Sequence, residues 1–453
     1  MDSATAVCKG TPSPDAPHVP VAIVGAGACG LTAALMLADA GIECVLLERD
    51  ASPSGSTALS SGFIPAAGTR AQHRKAVSDS PEQFARDIQA KAHGTAAPQL
   101  VEAYAQAIGP ALDALEQRHG LAFEVLEGFL YPGHSALRMH AVPEKTGAAL
   151  MQRLQRAAEI AGIAVLTQAL VRELWLAGGR MTGVGYARPD GSVERLRCDA
   201  VLLACNGFGG KAALVRELLP EMQQATFAGH AGNDGSAIAW GRALGARLAD
   251  LGGYQGHGSW AVPHGVLVTW ALMMEGAVQV NAQGQRFHDE QQGYSEAAVQ
   301  VLAQPGGVAW NLFDTALLQF ARGFPDFVAA EAAGAVRHAP GIPELATLIG
   351  CEPSVLSTTL SGTLLAPPFC AVKVTGALFH TQGGVEIDAG CRVLQGDATP
   401  WPNLLAAGGA ARGVSGNAVW GYLSGNGLLS AVAGGAIAAR TIARLLKHPQ
   451  DPQ

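Results

Sequence analysis

The stretch Val21–Asp50 constrains the chain more than any other. An apolar run, Val21-Ala22-Ile23-Val24, leads into Gly25-Ala26-Gly27-Ala28-Cys29-Gly30, then an Ala- and Leu-rich run, then Cys44-Val45-Leu46-Leu47-Glu48. The β-branched bias of the first run suits a strand buried on both faces. Gly25 permits a tight turn, Gly27 lets a pyrophosphate approach the backbone, and Gly30 lets a helix pack close to the sheet. Ala and Leu favour a helix from Leu31 to Ala40, and Gly41 stops it. The start of such a helix offers free N–H groups and a positive dipole end to phosphates. Glu48 ends the second strand about 20 residues after the turn, where an acid accepts hydrogen bonds from a ribose. A glycine-rich turn alone is a weak signal. Strand, turn, helix and acid in this order predict a dinucleotide site.

The motif begins near the N-terminus, so the nucleotide reads as a resident cofactor, FAD rather than NAD. With 453 residues the chain is long enough for two domains and a large core. Charged residues make up 15%, the formal net charge is −7, and no basic cluster occurs, so nothing invites nucleic acid or an anionic membrane. The eight cysteines are scattered without a C-x-x-C pair, which reads as free thiols in a reducing compartment. No signal-peptide core and no apolar run of ~18 residues is evident. Gly265–Val280 comes nearest, and Glu275 interrupts it. The expectation is a cytoplasmic protein without a membrane span and without a metal site.

Taken in order, residues 1–19 read as a loose tail. Ser54–Thr69, rich in small hydroxyl residues and glycine, suits a loop lying against a flat ligand, though a surface loop has the same composition. Ser80-Pro81-Glu82 opens a helical region reaching Gly120. Gly162–Leu203 reads as several strands, and Ala204–Gly210 is a second glycine turn after a buried strand. From Ala246 to Pro368 aromatic residues, histidines and loops increase, as in an inserted domain. Asn403–Gly409 is a third strand ending in glycines, and Gly421–Gly427 opens a helix from Leu428 to Leu446. The fold class is α/β: a Rossmann-like FAD-binding domain (20–245 and 370–453) with an inserted α+β capping domain (246–369).

With these segments in place, the chain resembles the fumarate reductase / 3-ketosteroid Δ1-dehydrogenase superfamily of FAD flavoproteins over about residues 20 to 445. The matching segments are Gly25–Gly30 with Glu48, the Gly55–Gly62 loop, Leu202–Gly210, Gly232-Asn233-Asp234-Gly235, Gly284–Glu290, His380–Gly384, Leu405–Gly408 and the glycine-rich start of the last helix. The resemblance implies FAD contacts from Gly25, Gly27, Gly30, Glu48, Ser56, Thr57, Ser61, Gly62, Gly207, Asp234, Gly408, Gly425, Asn426 and Leu428. Some relatives bond flavin covalently through a histidine in the first serine/glycine loop. That position is Ser56 here, which implies non-covalent FAD. Fumarate reductases carry a proton-delivering arginine four residues after the motif glutamate, and here that residue is Tyr294. Their carboxylate-clamping arginine before Leu-Gly-Gly-Asn corresponds to Tyr422, before Leu423-Ser424-Gly425-Asn426.

Both departures resemble the ketosteroid dehydrogenase branch. There a capping-domain tyrosine is the α-proton base, a tyrosine at the helix start holds the carbonyl oxygen with a backbone N–H, and a third tyrosine supports the base. The matches are Tyr294, Tyr422 with an N–H near Gly425–Asn426, and Tyr131. The implied reaction is α,β-desaturation of a ketone, with proton abstraction by Tyr294 and hydride transfer to flavin N5. Tyrosine titrates near ~10 and burial raises it, so a donor such as Tyr131, or a nearby His or Arg, must offset the shift. Candidates for recognising the rest of the substrate are His134, Arg138, His140 and His257, with His380 and Thr381 where fumarate reductases bind a carboxylate. A 3-ketosteroid or a small ring ketone such as 4-oxocyclohexanecarboxylate fits, and the electron acceptor is not specified. A fumarate-reductase-type enoate reductase, which needs an arginine such as Arg138 or Arg412 at the flavin, and a flavin-binding protein without turnover are the competing readings.

Overall fold

The computed structural model describes residues 5–128 and 130–447. Residues 1–4 of the expected tail, Phe129, and residues 448–453 of the expected FAD-binding domain lie outside the described residues. Parallel strands run through the first sheet in the order Pro400–Ala406, Val193–Leu203, His18–Val24, Cys44–Leu47, Ala164–Leu166. Leu404, Val201, Ala22 and Val45 form one row across it, and none is more than 8% exposed. Burial on both faces explains why these strands are continuous apolar runs. Because the row is in register, the glycine turns that follow Val24 and Leu203, the one after Ala406, and the acid after Leu47 share one edge.

The N-terminal part of Val193–Leu203 is antiparallel to Arg180–Ala187, which pairs with Leu170–Ala177. The described part of the expected tail, residues 5–19, is tied to the sheet. Ala6–Lys9 pairs with Glu173–Leu176, and His18 and Val19 already belong to the strand His18–Val24. The short segment covers an otherwise open sheet edge, and Val7 packs on the core.

Helix Ala28–Asp39 lies close on the sheet, as its glycine pattern predicts. A Cβ at Gly30 would stand 2.0 Å from the Gly25 carbonyl oxygen. Helix Asn426–Lys447 packs beside it, and Pro98–His119 packs on Asn426–Lys447. Ser80 caps Pro81–Lys91 by accepting from the Gln83 N–H, as expected. Asn426–Lys447 corrects the expectation that no apolar run is long enough to span a membrane, since it passes that test by length and composition. Of its most apolar window, 67% is buried inside the protein, which accounts for the composition of a core helix.

A second sheet is built round Phe369–Thr381, which pairs with Tyr254–Ala261 and Val308–Asp314. The central strand of this sheet begins where the cap was expected to end, and Thr226–Phe227 also joins it. The expected boundaries at 246 and 369 therefore do not coincide with the sheet. Helix Tyr294–Leu302 rests on Tyr254–Ala261, where Ala298 and Ala297 face Gly256 and Gly258. All eight cysteines are free, as expected.

Gly30→Ala is expected to destabilise the fold by about 1–3 kcal/mol, because an overpacked contact forces backbone to move. A lowered thermal midpoint by far-UV circular dichroism checks this.

Candidate active site

A cleft of about 1670 Å3, part of it open to solvent, runs along the carboxyl edge of the first sheet to the second sheet. At one end lie Gly25, Gly27, Glu48, Arg49 and Asp234. Glu48 Oε2 accepts the Ala26 N–H at 2.9 Å, and Oε1 accepts the Asp50 N–H at 3.0 Å, so the acid ties the glycine turn to its strand. Arg49 Nη1 donates to the Gly232 carbonyl and to Asp234, both at 3.2 Å. The first helical N–H, of Ala28, is directed to Thr57 Oγ1 at 3.3 Å, and the helix has no side-chain cap.

Gly27 shows that this end fits a dinucleotide. Its φ is −76°, an angle any residue adopts. An added Cβ would meet no protein atom closer than Thr57 Oγ1 at 3.9 Å. Neither backbone nor packing requires glycine there, so the glycine preserves cleft space beside uncapped helix N–H groups. Residues 20–428 match the FAD binding domain family. The chain belongs to that family. FAD is its cofactor, and the protein is an FAD-dependent oxidoreductase.

It is 26% identical over 447 residues to the NADH:fumarate oxidoreductase of Klebsiella pneumoniae (strain 342), covering 94% of this chain. The match spans 47% of that relative, about half its length. Among solved structures, the open conformation of a flavocytochrome c3 fumarate reductase superposes with a TM-score of 0.81 at 24% identity, covering 97% of this chain and 80% of that one. The 3-ketosteroid-delta4-(5alpha)-dehydrogenase from Rhodococcus jostii RHA1, in complex with 4-androstene-3,17-dione, gives 0.77 at 23% identity, covering 96% and 99%. These likenesses concern the fold.

Further along the cleft, Ser56 Oγ accepts from the amide groups of Asn206 and Asn233, each at 3.0 Å. Those two bonds leave its hydroxyl proton free to donate. Thr57, Ser61, Gly62, Gly408, Gly425 and Leu428 also line the cleft. Gly30, Gly207 and Asn426 do not line it. The Asn426 amide instead donates to Ser415, Ser415 donates to Gln382, and Gln382 faces His380 Nδ1 at 3.2 Å. Asn426 thus acts on the site through His380.

At the far end the three expected tyrosines converge. Tyr294 lies edge-on to Tyr131 and Tyr422, with ring centroids 6.4 and 6.1 Å apart. His257 stacks on Tyr294 at 4.7 Å, and His380 stands edge-on to Tyr422 at 5.6 Å. Burial pushes all three phenols above the usual tyrosine range. For Tyr294 the opposing hydrogen bonds come from Ser424 and Tyr422. Burial also holds His257 down to about 3 and His380 to about 4, so both rings are neutral at pH 7.

The candidates for substrate recognition divide. His380 lines the cleft, whereas His134, Arg138, His140, His257 and Thr381 do not. Arg138 is 1% exposed and binds Asp79 through two nitrogens, at 3.0 and 2.8 Å, and Asp87 through a third. His134 Nε2–H donates to the Ser424 carbonyl at 3.0 Å. His140 is 2.7 Å from Thr69 Oγ1, and Thr381 Oγ1 accepts the Phe208 N–H. These residues shape the walls rather than the cavity. Arg412 is likewise paired, with Asp250 and Glu386. Among the described residues lining the cleft, Arg49 is the one arginine or lysine, and it lies at the nucleotide end.

Ser424, Gln382, Phe379 and the Gly427 N–H were not singled out from sequence, although Ser424 and Gln382 sit inside quoted motifs. The Gly427 nitrogen is 3.5 Å from Tyr422 Oη, one residue beyond the Gly425–Asn426 pair expected to supply the N–H. No group of three or more His, Cys, Asp or Glu side chains among the described residues is placed to hold a metal ion.

Gly27→Val is expected to abolish flavin retention while leaving the thermal midpoint of the apoprotein within about 2 °C of wild-type apoprotein, since a side chain there meets little protein. Flavin absorbance per chain and thermal unfolding of both apoproteins check this.

Proposed function

We propose that the enzyme interconverts an uncharged ketone and its α,β-unsaturated counterpart, acting as an FAD-dependent ketone desaturase. The observation that carries this reading is the pairing of Tyr422 Oη with the Gly427 N–H, which donates to it at 3.5 Å, beside Tyr294. A substrate oxygen that draws this long N–H bond to itself and takes the Tyr422 proton would accept from both at ~2.8 Å, which is what a carbonyl gaining enolate charge needs. Tyr294 then takes or returns the proton at the adjacent carbon. FAD, when bound, supplies the hydride acceptor for desaturation or the donor for reduction. Tyr422 has one hydroxyl proton, so donation to a substrate oxygen replaces donation to Tyr294, and Ser424 remains to stabilise the phenolate.

Among the described residues, no free cation lines this end of the cleft, which favours a neutral substrate, a 3-ketosteroid or a small ring ketone. A carboxylate would enter without a guanidinium or ammonium partner. The names of the curated relatives favour a second reading, reduction of an enoate such as fumarate, with Tyr294 as the proton donor in place of arginine.

The test is anaerobic mixing of oxidised holoprotein with 4-androstene-3,17-dione, cyclohexanone and 4-oxocyclohexanecarboxylate, following flavin absorbance. An uncharged ketone should bleach the flavin, and the carboxylate should be the poorest of the three. Tyr294→Phe should slow bleaching by about 10²–10⁴-fold and Tyr422→Phe by about 10²–10³-fold. Bleaching by none of them, together with reoxidation of dithionite-reduced flavin by fumarate, would overturn the ketone reading.

The raised phenol gives the sign of the pH dependence. The phenolate fraction of Tyr294 grows tenfold per pH unit below its folded pKa, which lies above ~10. Flavin reduction by ketone should therefore climb through neutral and mildly alkaline pH without a plateau below pH ~10. Reoxidation by the matching enone uses the protonated phenol and should be flat from pH 6 to 9, on the order of that range. Stopped-flow rates in both directions check this.

A further inference from the structure

Helix Tyr294–Leu302 begins without a side-chain cap, after Gly293. Gly293 has φ 134° and ψ 162°, a conformation only glycine adopts readily. No capping side chain therefore fixes where the helix starts, although its first residue is the proposed base. Ser295 ties the start inward, to the second sheet, by accepting the Gly256 N–H at 2.8 Å. The tie in the other direction comes from Lys91, at the end of helix Pro81–Lys91, which packs on helix Pro98–His119. Lys91 Nζ donates to the Gln292 carbonyl at 2.8 Å and to the Glu296 carboxylate. It thus grips the chain on both sides of Gly293–Tyr294.

The grip is enclosed. The Lys91 and Glu296 side chains are 13% and 15% exposed, and Glu296 Oε2 is buried with no hydrogen-bond partner. An added Cβ at Gly293 would stand 2.8 Å from Glu296 Oε2 and 3.5 Å from Lys91 Nζ, so the glycine also makes room for the pair. Burial raises the Glu296 carboxyl, and Lys91 opposes that rise. A pair this enclosed fixes geometry more than it adds stability, and losing one partner strands the other charge.

We infer that Lys91 is a positioning residue for Tyr294: it sets the start of the base-bearing helix relative to the flavin half of the molecule by binding Gln292 and Glu296 together. The inference rests on the reading of Tyr294 as the proton-transfer group. It concerns Lys91 and Glu296, neither of which lines the cleft.

The experiment compares holoprotein of wild type, Lys91→Met, Lys91→Arg and Glu296→Gln in two measurements. Hydrogen–deuterium exchange is read in the peptide spanning residues 291–301. Flavin bleaching is read with whichever ketone of the panel above reduces the wild type. Lys91→Met should raise amide exchange in that peptide at least tenfold, on the order expected for loss of a charge-assisted tie. Its limiting bleaching rate should fall at least tenfold, with half-saturating ketone within about twofold of wild type, because positioning acts on the chemical step. Lys91→Arg keeps both donations and should recover most of the rate. Glu296→Gln keeps an acceptor for Lys91 and should fall between. Unchanged exchange at 291–301 in Lys91→Met overturns the inference, as does a rise spread over the whole protein with loss of flavin. If no ketone bleaches the wild type, the proposed function falls, while the exchange measurement still decides the tie.

Discussion

The structure depends on the close seating of helix Ala28–Asp39 on the turn that precedes it. Gly30 touches the Gly25 carbonyl, and Gly435 of the last helix presses on the Cys29 carbonyl from the other side. With side chains at these points the helices would stand off, and the parallel strands would lose the layer that buries them. Because the layer is tight, the strand row through Leu404, Val201, Ala22 and Val45 stays in register. The turns beyond it then deliver backbone N–H groups and small hydroxyls to one cleft. Cofactor binding is thus a consequence of packing, with Gly27 added to keep the space clear.

The chemistry depends on a second constraint, burial of phenols without charge. Three tyrosines meet where the two sheets adjoin, and each is held above its ordinary titration range. Such a group is almost wholly protonated near neutral pH, so in the proposed reaction the direction that needs the phenolate climbs with pH while the direction that uses the phenol stays flat. The buried Arg138 with its two aspartates stands behind His134, which holds the Ser424 carbonyl. Charge is thereby kept one layer away from the cavity, and the cavity wall stays neutral. Ser424 lies next to Gly425, so this buried chain orients the turn between Tyr422 and Gly427.

Local features were legible in the sequence, and long-range ones were not. The Val21–Glu48 unit, the Ser80 cap and the Tyr422 helix start each depend on neighbours along the chain, and the structure has them. The convergence of Tyr131, Tyr294 and Tyr422 was legible only through the family resemblance, because no spacing brings them together. Arg138 looked like a free cation because its partners, Asp79 and Asp87, lie 59 and 51 residues away. The tie from His134 to Ser424 spans 290 residues. The strand Ala6–Lys9 is short and contains Cys8 and Lys9, so only its pairing with Glu173–Leu176 reveals it. The expected cap boundary at 369 falls at the start of Phe369–Thr381, a strand of the second sheet that brings His380 to the cleft, and no local pattern marks that continuity.

The most direct measurement of the central claim separates proton transfer from hydride transfer. Holoprotein reduced with dithionite cannot oxidise a ketone, so in D2O any exchange at the α-carbon reports the base alone. Incubation with cyclohexanone or a saturated 3-ketosteroid, followed by proton NMR of the recovered ketone, reads that exchange. The account predicts deuterium at the α-carbon with wild type and only the buffer background with Tyr294→Phe. Equal deuterium incorporation by wild type and Tyr294→Phe would contradict it.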